Sequence, residues 1–469
     1  MFYCRDEELR KLSKRYEEND FECVIIYGRR RVGKTALINE FCRDKPTIYF
    51  SALKATTDKN LTALSKAIHL LKEPDATVFP EYKNYSDALA EISRLAQEQR
   101  IIFVIDEYPY LAKAEDSISS LLQHTIDHIW KNTKLYLILC GSSMSFMEKQ
   151  VLGDESPLYG RRTAQFKLEP LTYRETALFS PNLSAEQNAL IYGITGGVPH
   201  YIRKLNVKSD VNEALLENLF DRSSYLYEEP ENLLKQELRE PSQYSDILSA
   251  IAEGASKLSE ISAKCKLETG SCSKYLKTLQ ELGIVKRERP LVNGNSKQTI
   301  YSIDDNFFRF WYRFVPNNTA LIASGRIVRV YEKIIQPYLS DFMGFIFERM
   351  CHDYLLYYAQ GLPFEILSLG KWWGNNPVER KEIEIDIVGE TIDIKTGEKA
   401  YVVCSCKYRN KQIGRDELEL LRQYASVFSK GKKCHYIIFS KDGFTQGLYQ
   451  SAEAGEVILY SLDDIYSSI

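Results

Sequence analysis

The chain has 469 residues, of which 44% are hydrophobic and 27% charged, the balance of a globular protein with several cores. Lys and Arg number 61, Asp and Glu number 64, and the net charge of -3 excludes a globally basic nucleic-acid binder, though not a basic patch on one domain. No apolar run approaches the about 18 residues of a membrane-spanning helix. The 10 cysteines include no Cys-x-x-Cys pair, which indicates reduced thiols. We expect a cytoplasmic, multidomain protein with no membrane partner.

Five short apolar runs in the first third of the chain are separated by amphipathic segments of helix length. Runs without period-two alternation are typical of strands that are buried on both faces of a parallel sheet. Right-handed connections between such strands produce a doubly wound α/β fold. The predicted strands are Cys23–Tyr27, Thr47–Phe50, Ile101–Ile105, Leu135–Cys140 and Ala164–Leu168.

The first predicted strand leads into a phosphate-binding loop. Residues 28–35 match the motif G-x-x-x-x-G-K-[ST], with a strand before them and an amphipathic segment after them. Backbone N–H groups of such a loop point at phosphate oxygens. Lys34 would neutralise the β and γ phosphates of ATP, and Thr35 would bind Mg²⁺. The predicted nucleotide contacts are Gly28, Arg29, Arg30, Arg31, Val32, Gly33, Lys34, Thr35 and Ala36.

A second motif in the same region supplies acidic groups. The apolar run at 101–105 ends in Asp106 and Glu107. An acid at the carboxyl end of such a strand holds Mg²⁺, usually through water, and a following acid orients and deprotonates the attacking water. A strand that ends in two acids is common by itself, but a phosphate loop about 70 residues earlier makes the pair specific. The sequence therefore predicts ATP hydrolysis, with Asp106 on the metal and Glu107 and Lys34 as catalytic residues.

Two further features leave alternatives open. The fourth predicted strand ends in Gly141, Ser142 and Ser143, where the Ser142 hydroxyl either senses the γ-phosphate or belongs to an ordinary turn and helix cap. Arg161 and Arg162 precede the fifth strand. A guanidinium there either stabilises transition-state charge as an arginine finger or forms a surface ion pair.

Taken together, these motifs resemble the archaeal-type ATPases of prokaryotes, which belong to the STAND branch of AAA-like P-loop NTPases. The resemblance covers about the first half of the chain, and it includes Phe2 with Arg5 and the Gly-Gly-Val-Pro element that ends at Pro199. It implies a helical lid whose proline side touches the nucleotide base, and an opening turn at Arg5 that contacts the base as well. Cys4 stands where the family usually has glycine.

The middle of the chain predicts a winged helix. Three amphipathic helices between residues 244 and 282 are followed by a hairpin whose tip is Val292–Ser296, where Asn-Gly favours a tight turn. Lys274 and Lys277 on the third helix would suit a helix in a DNA major groove. A winged helix that serves only as a protein-packing module is the alternative. The aromatic stripe Phe307–Phe314 has helical spacing, which favours a place in the core over base stacking.

The final region contains a second candidate site. Period-two alternation puts Glu382, Glu384 and Asp386 on one face of a strand, and it puts Ser405 and Lys407 on one face of the next. This layout resembles the PD-(D/E)xK nuclease fold, in which acids and a lysine surround Mg²⁺. Ser405 stands where the fold expects a carboxylate, so we predict weak metal binding and little or no cleavage. The implied metal-site residues are Glu348, Asp386, Ser405 and Lys407, and Gln423 would match a glutamine that some of these nucleases add.

The predicted domains are a P-loop ATPase core (1–171), a helical lid (172–240), a winged helix (241–304), a helical connector (305–340) and an α/β nuclease-like domain (341–469). We interpret the chain as an ATP-hydrolysing switch that couples its nucleotide state to a protein partner or to DNA. An ATP-regulated, DNA-processing nuclease and a nucleotide-sensing, DNA-binding regulator are the alternatives. The sequence predicts neither the identity of the partner nor the oligomeric state.

Overall fold

The structure is a computed structural model. It describes residues 3–289, 299–376, 380–429 and 431–467. The predicted wing tip, Val292–Ser296, and Phe2 of the opening motif lie outside the described residues. Within those described ranges, no helix is both long and apolar enough to cross a membrane.

The chain forms two compact units. The first contains the residues up to Leu171 together with Val198–His200, and the second contains Thr172–Gly197 and the chain from Tyr201 onward. The division into five domains that we predict from the sequence is finer than this one, and it stays a prediction.

A five-stranded parallel sheet forms the centre of the first unit. Its strands are β1 (Glu22–Tyr27), β2 (Thr47–Ser51), β3 (Ile101–Asp106), β4 (Leu135–Gly141) and β5 (Ala164–Lys167). They lie in the order β2-β3-β4-β1-β5, and every neighbouring pair is parallel. The predicted α/β class with a P-loop type of parallel sheet is confirmed.

The three inner strands β1, β3 and β4 are buried along their whole length. Alternate residues enter two separate cores, because Ile25 and Phe103 pack on one face of the sheet while Ile26 and Val104 pack on the other. Burial on both faces explains why the sequence shows unbroken apolar runs instead of alternation.

Helices cover both faces of this sheet. Those that follow β2 and β3 connect strands that are parallel neighbours, as right-handed crossovers do, whereas the connection from β1 to β2 passes over β4 and β3. The helices of the first unit are α1 (Asp6–Glu17), α2 (Lys34–Cys42), α3 (Thr57–Lys72), α4 (Tyr85–Glu98), α5 (Tyr108–Ala114), α6 (Ile118–His128) and α7 (Met144–Phe146).

The chain after Leu171 continues as a run of short helices. Thr172 and Ser184 each close a capping box at a helix start, which satisfies N–H groups that the helix leaves free. The helices are α8 (Tyr173–Ala177), α9 (Ala185–Thr195), α10 (Pro199–Leu205), α11 (Val211–Asn218) and α12 (Tyr225–Glu237).

Three helices and a two-stranded antiparallel sheet come next, in the order that the winged-helix prediction requires. They are α13 (Pro241–Ala252), α14 (Leu258–Lys264), α15 (Thr269–Glu281), β6 (Val285–Glu288) and β7 (Ile300–Ile303). The aromatic stripe follows as α16 (Asn306–Phe314), in which Phe307, Phe308 and Phe310 are fully buried. Asp305 caps this helix by accepting from the N–H groups of Phe307 and Phe308.

The last part of the second unit is a six-stranded mixed sheet with flanking helices. Its strands lie in the order β13-β12-β11-β10-β8, and β9 pairs with β10; β10 and β11 are antiparallel, whereas β11, β12 and β13 are parallel. The elements are α17 (Thr319–Ala323), α18 (Ile327–Val330), α19 (Leu339–Tyr357), β8 (Phe364–Ile366), β9 (Gly370–Asn376), β10 (Lys381–Asp393), β11 (Lys399–Lys407), α20 (Arg415–Ser429), β12 (Cys434–Ser440), α21 (Gln446–Glu453), β13 (Ile458–Ser461) and α22 (Leu462–Tyr466).

Helix α20 connects the parallel strands β11 and β12. Its apolar residues Leu418, Leu421 and Ala425 pack into one core with Val403 of β11. This packing brings the first turn of α20 close to the carboxyl end of β11, where the candidate C-terminal site lies.

Candidate functional site

The phosphate loop owes its path to two glycines. A Cβ on Gly28 would come within 2.3 Å of the carbonyl oxygen of Leu168, so only glycine fits there. Gly33 has a φ of +97°, a left-handed conformation that glycine adopts without strain. The loop is therefore held against the chain beyond β5, where the Leu168 N–H donates to the carbonyl of Tyr27 over 2.7 Å.

Lys34 lies at the start of α2 with only 6% of its surface exposed. Its ammonium donates to the carbonyl oxygens of Gly28 and Arg29, both at 2.9 Å. Burial lowers the pKa of Lys34, and the charges of Glu107 and Asp106 work against that shift. The ammonium is thus held inside the loop, where the motif predicts phosphate groups.

The remaining loop residues differ in exposure. Val32 is buried, and Thr35 and Ala36 are exposed on the first turn of α2. The arginines Arg29, Arg30 and Arg31 are half-buried. Arg30 donates to the Tyr110 hydroxyl of α5 over 2.6 Å, a contact that links the loop to the helix after β3.

The Asp106 carboxylate accepts hydrogen bonds from three residues. Its Oδ2 accepts from the Thr35 hydroxyl at 3.2 Å and from the Tyr49 hydroxyl at 2.7 Å, and its Oδ1 accepts from the Glu107 N–H at 3.0 Å. Burial and the neighbouring Asp106 raise the pKa of Tyr49, which keeps this hydroxyl a donor. The sequence analysis did not predict Tyr49, which lies in the middle of β2 and pairs with Val104, two residues before Asp106.

The oxygens of Thr35 and Asp106 form a hard donor set that fits Mg²⁺. They come from the P-loop helix and from the carboxyl end of β3, the two places that the motifs predict.

Glu107 lies beside Ser142, which the sequence predicts only as a γ-phosphate sensor or a cap. Glu107 has a φ of +54°, which is uncommon for a residue with a side chain. Its carboxylate accepts from the Ser142 hydroxyl at 2.5 Å and from the Ser142 N–H at 3.3 Å. The predicted base and the predicted sensor are therefore in direct contact.

Arg161 forms an ion pair with Asp127 of α6. Its Nη2 lies 2.7 Å from Asp127 Oδ2, and its Nε donates to both carboxylate oxygens. Hydrogen bonds from Arg161 and then from Lys131 lower the pKa of Asp127 to about 2. Arg162 donates to the carbonyl of Leu152 over 3.3 Å. The sequence left an arginine finger and a surface ion pair as alternatives, and the structure shows an ion pair for Arg161. Arg161 could act as a finger only after its ion pair with Asp127 has broken.

The opening turn has an unusual backbone. Cys4 and Arg5 both have left-handed conformations, with φ of +60° and +76°, and a glycine at the position of Cys4 would adopt such a conformation without strain. The Arg5 guanidinium contacts Glu8 at 3.2 Å and the carbonyl of Glu169. Pro199 begins α10 and lies in the short stretch that clusters with the first unit.

Three acids meet in the second unit. Glu348 of α19 and Glu384 and Asp386 of β10 each place a carboxylate oxygen within 4.8 Å of the others, whereas Glu382 is exposed on the same strand. Lys371 of β9 lies 2.9 Å from Glu348 and also pairs with Glu384. Burial and then the charge of Asp386 raise the pKa of Glu348 to about 7. An ammonium thus already neutralises part of this acidic group.

Ser405 replaces the carboxylate that the predicted lysine motif requires, but the structure has another carboxylate at this position. It belongs to Glu417 of α20. The Ser405 hydroxyl donates to Glu417 Oε1 over 2.7 Å. Lys407 lies 3.3 Å from that oxygen and 3.5 Å from Asp386 Oδ2. The sequence analysis missed Glu417 and chose Gln423, which is exposed on the same helix. The available signal was an acid in the first turn of the helix that follows β11.

A cavity of about 300 Å³ opens next to these groups, entirely within the second unit. Both acidic and basic side chains line it, from the two-stranded sheet, α19 and the mixed sheet. They include Lys286, Glu288, Glu348, Arg349, Lys371 and Asp386.

Comparisons with known proteins agree with the geometry of the first unit. Residues 2–205 match a family described as an ATPase domain predominantly from Archaea, and residues 311–418 match a second family, described as Archaea bacterial proteins of unknown function. An uncharacterized protein of Methanocaldococcus jannaschii is 31% identical over 476 residues, which cover 99% of this chain and 100% of that protein. An uncharacterized ATP-binding protein of the same organism is 51% identical over 45 residues, which cover 10% of this chain and 76% of that protein.

Among solved structures, the ORC2 protein of Aeropyrum pernix (ADPNP-ADP complexes) is similar with a TM-score of 0.45 and 14% identity, over 70% of this chain and 96% of that chain. A STAND protein of Pyrococcus horikoshii with a tetratricopeptide repeat sensor gives a TM-score of 0.30 and 16% identity, over 74% of this chain and 53% of that chain. Both similarities are too low for a function to be transferred.

The resemblance to archaeal-type ATPases is confirmed by the family match and by a relative that aligns with practically the whole chain. The roles of the individual site residues stay predictions. The chain belongs to the archaeal-type ATPase family, and its ATPase domain is joined to a domain from a family of unknown function.

Proposed function

We propose that the first unit hydrolyses ATP and that the chain acts as a nucleotide-dependent switch for a partner of the second unit. The observation that carries the proposal is the meeting of Lys34, Thr35, Asp106 and Glu107 at one edge of the parallel sheet. Ligands of open α/β sheets bind at the carboxyl ends of the strands, and these four side chains come from that edge.

ATP binding begins with the loop. The N–H groups from Gly28 to Ala36 bind phosphate oxygens, and Lys34 turns from the carbonyls of Gly28 and Arg29 to the β and γ phosphates. Thr35 and Asp106 hold Mg²⁺, which supplies positive charge to the phosphate oxygens when it is bound. Arg5 and Pro199 contact the base, as the family resemblance implies.

Hydrolysis uses Glu107 as the general base. The Glu107 carboxylate orients a water molecule and accepts its proton while the water oxygen attacks the γ-phosphorus. The bond to the β-phosphate oxygen breaks, so that ADP and inorganic phosphate are the products. Arg161 or Arg162 stabilises the charge of the transition state once its present partner is exchanged for phosphate.

The partner engages the second unit. Helix α15 exposes Lys274 and Lys277 on the side that a winged helix presents to a DNA groove, which supports DNA as one class of partner. A protein partner is the other class, and the modest charge of the domain is compatible with it. Binding of duplex DNA that weakens steeply with salt separates the two classes, because it reports the number of phosphate contacts.

A DNA-processing nuclease is the second candidate function. The carboxylate of Glu417 beside Ser405 and Lys407 supports it, since it adds an acid where Ser405 lacks one. All four carboxylates form ion pairs with lysines, which favours weak metal binding instead. Lys371 pairs with Glu348 and Glu384, and Lys407 pairs with Asp386 and Glu417.

Lys34→Ala should abolish ATP binding, because the ammonium that neutralises the phosphates is lost. Glu107→Gln should keep ATP binding and lose at least about 100-fold in turnover, the usual effect of a missing base. Nucleotide titration and steady-state phosphate release measure the two effects. Lys59→Ala and Glu17→Gln, which alter exposed residues of the same unit, serve as controls. Normal turnover in Glu107→Gln would refute the assigned base.

Arg161→Ala or Arg162→Ala should reduce turnover by about 100-fold or more with little change in ATP affinity, because a finger acts mainly in the transition state. Asp127→Ala is the matched control, since it breaks the same ion pair but keeps the guanidinium. If Arg161 serves only the ion pair, Arg161→Ala and Asp127→Ala should lower thermal stability equally and leave turnover unchanged. Mixing an arginine variant with Lys34→Ala tests whether the finger acts in trans.

The wild type with ATP and Mg²⁺ should show little or no cleavage of linear, supercoiled or single-stranded DNA, because lysines already pair with the carboxylates that would bind the metal. Removing the competing ammonium in Lys371→Met should tighten Mn²⁺ binding by about tenfold or more, because residues beside metal ligands commonly change metal affinity by at least this factor. Asp386→Ala should cancel that gain, and Lys411→Met is a control on an exposed lysine. Calorimetry measures the affinity for Mn²⁺, and gel assays measure DNA cleavage. Robust wild-type cleavage that Asp386→Ala removes would favour the nuclease over the switch.

A further inference from the structure

A second cavity, of about 410 Å³, lies entirely within the second unit. Lys407 of β11 pairs with Ser440 of β12, so Tyr408 and Lys441 are the first residues beyond two neighbouring parallel strands. Both of these residues line the cavity. Ligands of α/β sheets bind at the carboxyl ends of parallel strands, and pockets for small molecules have volumes of about 300 to 1,000 Å³. The position and the size of the cavity therefore both suit a small ligand.

Lys441 supplies a positive charge to the cavity. Its side chain is only 9% exposed, and its ammonium lies 2.5 Å from a carboxylate oxygen of Glu186 and donates to the side-chain oxygen of Asn410 over 2.6 Å. The backbone N–H of Lys441 donates to the carbonyl of Lys407 over 3.0 Å, which fixes the start of the side chain. An ammonium has three protons to donate. Within the described residues, Glu186 and Asn410 accept two of them, so the third is left for a ligand.

Tyr408 adds a hydroxyl near this ammonium. The residue is 7% exposed, and the Lys441 ammonium lies 5.2 Å from the centre of its ring. Burial and then the charge of Glu186 raise the pKa of Tyr408, so the hydroxyl stays protonated and can donate. Within the part of the chain that the structure describes, this hydroxyl has no hydrogen-bond partner. Because buried hydroxyls are normally paired, Tyr408 points to a ligand that accepts a hydrogen bond.

Acidic and apolar groups complete the lining. Glu186 of α9 and Asp210 supply the negative charges, and Asp210 also caps α11 by accepting from the Asn212 N–H. The Glu186 side chain is 57% exposed, so its carboxylate can leave Lys441 and remain in contact with water. The apolar lining residues include Leu190, Val211, Leu339 and Met343. The cavity thus presents both signs of charge beside an apolar surface.

The ion pair between Glu186 and Lys441 limits the charge that a ligand can carry. A purely negative ligand would bind Lys441 and leave Glu186 without its counter-charge, beside Asp210. A purely positive ligand would bind Glu186 and leave the buried ammonium of Lys441 without a carboxylate. Separating a buried charge from its partner is costly. A ligand with both charges replaces one ion pair by two, so neither residue loses its counter-charge.

We propose that this cavity binds a free α-amino acid with an apolar side chain. The carboxylate of the amino acid accepts from the Lys441 ammonium and from the Tyr408 hydroxyl, and its ammonium donates to Glu186. The side chain of the amino acid lies against the apolar lining residues. Binding is non-covalent and needs no ATP, so the proposal does not depend on the activity of the first unit.

The test is calorimetry with the full chain, without nucleotide, and with four probes: L-leucine, L-isoleucine, L-methionine and L-phenylalanine. Two of the probes have matched analogues. Leucinamide and phenylalaninamide lack the carboxylate, whereas 4-methylpentanoate and 3-phenylpropanoate lack the ammonium. We expect the wild type to bind amino acids of this set, and we expect each analogue to bind at least about tenfold more weakly than its parent, the size of one hydrogen bond between charged groups.

Tyr408→Phe removes one donor to the carboxylate, so it should weaken the binding of the amino acid by about tenfold and leave the binding of the amide unchanged. Lys441→Met should abolish the preference for the amino acid over its amide. Tyr449→Phe and Lys411→Met alter an exposed tyrosine and an exposed lysine of the same unit and should bind as the wild type does. Thermal melting checks that each variant is folded. If Lys441→Met does not fold, Tyr408→Phe still decides, because it keeps the ring and both charges.

The absence of binding by all four amino acids would overturn the proposal. Equal binding of an amino acid and its matched carboxylic acid would show that the cavity takes an organic anion, and equal binding of an amino acid and its amide would show that it takes an organic cation; either result contradicts the inferred ligand class. Amino-acid binding that is unchanged in both Tyr408→Phe and Lys441→Met would place the ligand elsewhere on the chain and would also overturn the assignment.

Discussion

The carboxylate of Asp106 is the group on which the candidate ATP site depends. It accepts hydrogen bonds from Thr35 in the P-loop helix, from Tyr49 in the middle of β2 and from the N–H of Glu107. A carboxylate that is only 6% exposed needs such donors, because an unpaired buried charge is very costly. The hydrogen bonds that satisfy Asp106 also fix the positions of the proposed metal ligand Thr35 and of the proposed base Glu107.

Local patterns were sufficient to predict the parallel sheet and the loop of the first unit. The apolar runs of β1, β3 and β4 reflect burial on both faces, and Lys34, Asp106 and Glu107 lie at fixed places relative to those strands. The partners of these residues were not predictable in the same way. Tyr49 reaches Asp106 only because β2 pairs with β3, and Arg161 meets Asp127 across 34 residues of sequence. Such contacts depend on strand order, which no spacing encodes.

The C-terminal site shows the same limit. Alternation along β10 correctly places Glu384 and Asp386 near each other, since a strand has a period of two. Glu417 comes from a helix and Lys371 from a different strand, so their approach follows from tertiary packing. These two residues change the chemistry most, because one adds a carboxylate and the other adds a competing positive charge. The balance of acids and lysines should affect the metal affinity of the site more than the presence of Ser405 in place of a carboxylate.

The most direct test of the ATP site is the Mg²⁺ dependence of ATP binding in Asp106→Asn. Asparagine keeps one oxygen that can accept from Thr35 and Tyr49, but it removes the acceptor of the Glu107 N–H together with the charge that holds the metal. Thermal melting therefore checks that the variant is folded. We predict that Mg²⁺ strengthens ATP binding to the wild type by about tenfold or more and leaves binding to Asp106→Asn nearly unchanged. An equal effect of Mg²⁺ on both proteins would contradict the assignment of Asp106 and, with it, the account of this site.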